Sequence, residues 1–170
     1  MGEKINLALI GAGNWGKNLA RVFFELGILK TICDTSEDIL NKNKKKYPEI
    51  HSTSSFADIL GSPDINTIAI ATPAEQHYSQ AKKSLLAGKN VFVEKPLSMT
   101  VVEGTDLVEI AEQQGKVLFV GHVLQYHPAI QTIKKMLQEG QLGKLQYIYS
   151  NRLNLGKIRQ EENILWSFAP

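Results

Sequence analysis

Short apolar runs and longer amphipathic stretches take turns along the chain from residue 5 to residue 120. Residues 5–10, Ile-Asn-Leu-Ala-Leu-Ile, barely alternate between apolar and polar, which marks a strand buried on both faces. Helical spacing follows over 14–26, with Leu19, Ala20, Phe23 and Leu26 on one stripe and Gly27 at the C-cap position. The pattern predicts a second strand over 29–33 ended by Asp34, then a lysine-rich helix over 36–47 stopped by Pro48. A short strand over 51–53 and a short helix over 55–60 come next. The clearest strand is 65–71, ending at Thr72-Pro73, and a helix over 75–87 closes at Gly88. Residues 90–93 form a fifth strand that ends at Glu94-Lys95-Pro96. Thr100 with Glu103 matches a capping box for a helix to about 114, and 117–120 is a sixth strand. Such alternation predicts an α/β fold of Rossmann type over residues 1–121, a doubly wound parallel sheet with right-handed crossovers and helices on both faces.

After Gly121 the pattern changes. A helix is predicted over 128–139, with Ile130, Ile133 and Leu137 on one face and Gly140 at its end. Residues 144–155 then read as one long strand with Leu145, Tyr147 and Tyr149 alternating with Gln146, Ile148 and Ser150. A strand of that length has no later strand to pair with, and unpaired edges are a liability. The expectation is therefore that 122–170 is the incomplete beginning of a second domain, in a chain cut short.

Composition narrows the class without choosing a chemistry. The chain has 170 residues, with 43% hydrophobic and 21% charged, which suits a globular protein with a real core. Nineteen basic residues against seventeen acidic ones leave a net charge of +2, too little to argue for nucleic acid or an anionic membrane. No apolar run approaches the ~20 residues of a transmembrane helix, and the start shows no signal-peptide core. Cys33 is the one cysteine, so an internal disulfide and a cysteine-built metal site are excluded. A cytoplasmic protein is expected, and no metal site.

The chemistry lies in two motifs. Gly11-Ala12-Gly13-Asn14-Trp15-Gly16 follows the first strand and opens the first helix. In such a G-x-G-x-x-G turn the first glycine allows a sharp bend, the second a close approach of backbone to pyrophosphate, and the third tight packing of helix near strand. The helix N-terminus offers N–H groups and partial positive charge to phosphate. Asp34, at the end of the second strand, stands where a carboxylate accepts hydrogen bonds from the adenosine ribose and repels a 2′-phosphate. NAD is the expected cofactor. Thr35, Ser36 and the lysines at 42, 44, 45 and 46 keep NADP open, although a lysine run most simply forms a solvated helix face.

The second motif is Glu94-Lys95-Pro96. Oxidising a carbinol requires a group to take the O–H proton as hydride leaves, and a lysine serves once its surroundings lower its pKa. A strand's carboxyl end is where ligands bind in such sheets, and Pro96 restricts the lysine backbone to extended geometry. With Ala71-Thr72-Pro73 and His77, the two motifs resemble the glucose–fructose oxidoreductase / inositol dehydrogenase / rhizopine catabolism (Gfo/Idh/MocA) family. That resemblance implies a Rossmann domain followed by a C-terminal α/β domain on an open antiparallel sheet, through which the full-length protein would form a homo-oligomer. It implies that Lys95 moves the proton of the reacting hydroxyl, that Glu94 lies near the nicotinamide, and that Thr72, Pro73 and His77 line the cofactor channel. Gly11, Gly13, Asn14, Trp15, Gly16, Asp34 and His122 complete the expected cofactor set, and Gln125 and Tyr126 stand near the expected cleft.

A narrower resemblance rests on 151–156 (Asn-Arg-Leu-Asn-Leu-Gly) and 163–170 (Asn-Ile-Leu-Trp-Ser-Phe-Ala-Pro). These residues are similar to the branch that oxidises nucleotide-linked amino sugars or their uronic acids at carbon 3, which would set Arg152 and Asn154 against substrate. In that branch Ala-Pro is followed by a His-Asp pair whose histidine works with the lysine. The expected function is hydride transfer between a ring hydroxyl of a sugar, a nucleotide sugar in particular, and nicotinamide. The alternative is a non-catalytic dinucleotide-binding or regulatory module, or the remnant of a truncated gene.

Overall fold

The structure, a computed structural model, describes residues 4–151. Six strands, β1 (Leu7–Ile10), β2 (Leu29–Cys33), β3 (His51–Thr53), β4 (Thr67–Ile70), β5 (Asn90–Val93) and β6 (Leu118–Val120), alternate with helices. The helices are α1 (Gly16–Glu25), α2 (Glu37–Lys46), α3 (Phe56–Gly61), α4 (Ala74–Leu86) and α5 (Val101–Gln114). A 3-10 turn at Val123–Tyr126 and α6 (Pro128–Gln138) follow. The sheet order is β3-β2-β1-β4-β5-β6 and every neighbouring pair is parallel. This is the Rossmann-type doubly wound sheet that the alternation predicts, and its order reverses between β1 and β4.

The unbroken apolar runs have a direct cause. In β1, Leu7 and Leu9 enter one core with Ala20, Ile32, Leu40 and Ala69, while Ala8 and Ile10 enter the other with Ile68, Ile70, Val93 and Leu107. Successive strand residues point to opposite faces, so a strand covered by helices on both sides needs apolar residues at every position.

Local chemistry sets the helix limits. Ser36 Oγ accepts the Ile39 N–H at the start of α2, with Glu37 and Asp38 in the first turn and Lys44, Lys45 and Lys46 in the last, all favourable to the helix dipole. Thr100 Oγ1 accepts the Glu103 N–H, and Glu103 reaches back to the N–H of Met99, one residue earlier than a standard capping box. At the other end of α1, Gly27 (φ 70°) donates to Phe24 O and Ile28 to Phe23 O, a Schellman closure that needs a left-handed residue at Gly27.

Two expectations are corrected. Leu26 does not join the buried stripe of α1; it is the C-cap and is 63% exposed, because the chain has begun to leave the helix axis there. Residues 144–151 form no strand, and Leu145, Tyr147, Ile148 and Tyr149 are exposed. Alternation alone makes no strand without a partner ladder, and none of the described strands supplies one. The remainder of that expected strand, with Arg152 and Asn154, lies outside the described residues. In α6, Ile130 and Ile133 share an exposed face.

Cys33 closes β2 within the core, and its thiol is pushed up to about 11 by burial first and the Asp34 carboxylate second. A raised thiol pKa favours the folded state below the unfolded value of 9.0, and that advantage is lost as pH rises from there to about 11. Folding stability should therefore fall over this window, by up to ~2 kcal/mol from Cys33. Chemical denaturation of wild type and Cys33→Ala at about pH 8 and about pH 10.5 tests this, the variant losing less on passing to the higher pH.

Candidate active site at the carboxyl ends of the strands

The turn between β1 and α1 is built on two forced glycines and one unforced one. Gly11 has φ +84°, and a Cβ there would lie 2.9 Å from the Ala71 carbonyl carbon and oxygen. A Cβ on Gly16 would lie 1.9 Å from the Gly11 carbonyl oxygen. A Cβ on Gly13 would meet no protein atom within 4 Å. The fold thus requires Gly11 and Gly16, whereas the open space at Gly13 suits a group from outside the chain. The start of α1 carries no side-chain cap and no acid in its first turn, while Ser36, Ser55, Thr100 and His127 cap α2, α3, α5 and α6. The Lys17 and Asn18 N–H groups donate to Gly13 O and Trp15 O, so those that an anion would satisfy are the N–H groups from Gly13 to Gly16.

Asp34 sits beside this turn. Its Oδ2 accepts the Ala12 N–H at 2.8 Å, and its Oδ1 accepts the Ser36 N–H at 2.9 Å. The carboxylate is therefore oriented by backbone on both sides and keeps further lone pairs for ribose hydroxyls. Exposed Lys42, Lys44, Lys45 and Lys46 lie on α2, as the solvated-face reading expects.

The two motifs meet. Trp15, half-exposed in the glycine turn, donates its indole N–H to Glu94 Oε1 at 2.6 Å. Glu94 is 8% exposed, and a Cβ on Gly121 would lie 3.0 Å from the same Oε1 and 3.1 Å from Phe92 Cζ. Gly121 thus leaves the room that Glu94 occupies. In linear order a glycine after a strand carries no sign of the side chain it accommodates, so Gly121 is a functional position that pattern alone does not reveal. Lys95 is half-buried and precedes a cis peptide bond to Pro96.

His77 has another place than the channel wall expected of it. It is 1% exposed, with Nδ1 2.6 Å from the Pro96 carbonyl oxygen and Nε2 2.9 Å from that of Thr72. Both ring nitrogens are engaged by the chain itself, which leaves neither for a cofactor. Thr72 donates its hydroxyl to Gln80 Oε1, and Pro73 is exposed at the start of α4. Asn14 is exposed at the turn. His122 is exposed and lines a groove of about 500 Å³ with Pro96, Leu97, Ser98, Thr100 and Val101, beside the Glu94-Lys95-Pro96 segment. Gln125 and Tyr126 are exposed on the 3-10 turn. The Tyr126 ring lies 6.3 Å from Phe119, which stacks on Phe92 at 5.5 Å, so Tyr126 leans on the β6 side of the sheet.

Fold and site together define a dinucleotide-binding domain with a lysine at the carboxyl end of β5. Its sequence matches the Gfo/Idh/MocA profile, described as an oxidoreductase family with an NAD-binding Rossmann fold, over residues 5–122, and the chain belongs to that family. NAD is its cofactor class, and the open space at Gly13, the uncapped start of α1 and the oriented Asp34 fit that group. The chain is 31% identical over 157 residues to the uncharacterized oxidoreductase YdgJ of Escherichia coli, covering 89% of this chain and 44% of the relative. It is 27% identical over 168 residues to the scyllo-inositol 2-dehydrogenase (NADP(+)) IolW of Bacillus subtilis, covering 96% and 45%. Among solved structures it is similar to the WlbA dehydrogenase of Bordetella pertussis in complex with NADH and UDP-GlcNAcA, with a TM-score of 0.77 and 28% identity over 83% of this chain and 44% of that one. The chain thus spans less than half the length of these relatives.

The glycines provide a paired test. Gly16→Ala should lower the melting temperature by several degrees, since its Cβ cannot coexist with the Gly11 carbonyl. Gly13→Ala should melt as wild type does, yet weaken NAD binding about tenfold or more in calorimetric titration. Equal behaviour of the two variants would contradict this division of roles.

Proposed function

We propose that this chain is the nicotinamide-binding part of a dehydrogenase that exchanges hydride with a ring carbinol of a sugar or cyclitol, and in particular of a nucleotide-linked sugar. The observation that carries this reading is the hydrogen bond from Trp15 to Glu94, which joins the phosphate-binding turn to the segment bearing Lys95. It brings a proton-accepting side chain to the rim of the cofactor crevice.

NAD, when bound, supplies the hydride acceptor. Backbone N–H groups of the turn at Gly13, Asn14, Trp15 and Gly16 hold the pyrophosphate, Gly11 shapes the turn while its own N–H donates to Cys33 O, and Asp34 receives the adenosine ribose hydroxyls. Thr72 and Pro73 border the channel, Glu94 stands toward the nicotinamide end, and His122 closes the groove beside Pro96. Lys95 takes the hydroxyl proton while the carbinol carbon loses hydride, so that the substrate gives up two electrons and two protons, one proton to the lysine and the other within the hydride. Residues 122–170 begin the domain that presents the sugar, with Gln125, Tyr126, Arg152 and Asn154 as its polar contacts. The scyllo-inositol, levoglucosan and UDP-GlcNAcA named for the relatives and neighbours support a polyhydroxylated ring as substrate. The nucleotide link rests on the WlbA similarity.

Reduction of NAD by the purified protein with UDP-GlcNAcA, myo-inositol, scyllo-inositol and levoglucosan tests the substrate class, with turnover of the nucleotide sugar expected to be fastest. Lys95→Ala should lower kcat about 100-fold or more while NAD still binds, in keeping with loss of a general base. Full turnover in that variant would overturn the role of Lys95.

A further inference from the structure

Lys95 stands between two residues that are each gripped by a side chain from elsewhere. Before it, the Glu94 carboxylate accepts the indole N–H of Trp15 from the β1–α1 turn. After it, the Pro96 carbonyl meets Nδ1 of His77 from α4, whose Nε2 meets the Thr72 carbonyl at the end of β4. The main chain around Lys95 belongs to neither helix nor strand: residues 94–100 lie between β5 and α5, and the Glu94 N–H bonds to the sheet at Ile70 O.

A lysine head group swings on a flexible four-carbon stem, so its placement is only as good as that of its own Cα. A misplacement of about 1 Å in a reacting group can cost about 100-fold in rate. We propose that Trp15 and His77 are positioning residues for Lys95: the indole fixes the carboxylate before it, and the imidazole ties the carbonyl after it to the end of β4. This rests on the reading of Lys95 as the proton acceptor. It also gives both side chains work other than touching cofactor. Imidazole suits the second post, since its two nitrogens lie against two carbonyls at once, the ring donating to one of them when neutral and to both when protonated, a span that a hydroxyl cannot make. It is also wholly buried there, where a carbonyl left without its partner is costly. The carboxylate that the indole holds occupies the room that Gly121 leaves for it.

The test reads Lys95 directly, without cofactor or turnover. In protein carrying ¹³C-labelled lysine, the Lys95 ε-methylene resonance is assigned by its loss in Lys95→Arg. Lys89, whose Nζ donates to the Ser62 and Ile65 carbonyls, reports on the fold as an internal control. In Trp15→Phe and His77→Phe the Lys95 resonance should shift and the Lys89 resonance should not, and His77→Gln, which keeps a donor, should restore part of the wild-type position. If His77→Phe disturbs Lys89, the Trp15→Phe and His77→Gln spectra decide. On the substrate that wild type turns over, each variant should lose about tenfold or more in kcat, beyond any change in NAD affinity. A Lys95 resonance unmoved in folded variants overturns the positioning roles whatever the turnover. Turnover surviving in Lys95→Ala instead overturns the proton role on which they rest.

Discussion

The contact on which this site depends is between two atoms that almost touch, the Cα of Gly16 and the carbonyl oxygen of Gly11. A single added carbon on Gly16 would fall 1.9 Å from that oxygen. Its absence lets α1 begin immediately over the end of β1 rather than after a longer loop. The helix start then lies where the strand order reverses between β1 and β4, the position at which open α/β sheets bind their ligands. A helix start with no side-chain cap presents the N–H groups of the turn before it, from Gly13 to Gly16, to that crevice. The constraint is purely steric, yet it determines where an anion is received.

The same turn reaches across to the second motif. Trp15 extends from it to Glu94, and the ends of β4 and β5 are joined in turn by His77 between Thr72 and Pro96. Three loops from three different strand ends are thereby tied into one rim. Only short stretches of that rim belong to sheet or helix, so its shape comes from side chains gripping carbonyls and carboxylates. That arrangement suits a place where one lysine has to be aimed.

Much of this was legible in the sequence, for identifiable reasons. The limits of β2 and β5 fall at Leu29 and Cys33 and at Asn90 and Val93, as the apolar runs and their polar stops predict, and the short strand expected over 51–53 is β3. Ser36, Ser55 and Thr100 mark helix starts because their oxygens accept N–H groups three residues on. Cys33 is buried, as its strand position suggests. The site was legible as motifs but not as contacts. His77 shares a helix face with other residues, and nothing in linear order says that its ring would be enclosed by two carbonyls nineteen and five residues away. The Trp15–Glu94 bond spans 79 positions and depends on the space at Gly121. The alternating stretch at 144–151 misled because period-two patterning describes a strand only where a partner ladder exists.

The central claim is that the glycine turn and the Glu94-Lys95-Pro96 segment form one site, cofactor on one side and proton acceptor on the other. A crystal structure of this protein with NADH bound tests it most directly. The pyrophosphate should lie against the N–H groups of the turn leading into α1, and the nicotinamide ring beside Glu94 and Lys95. A cofactor seated with its nicotinamide away from Lys95, or with its phosphates off the glycine turn, would contradict it.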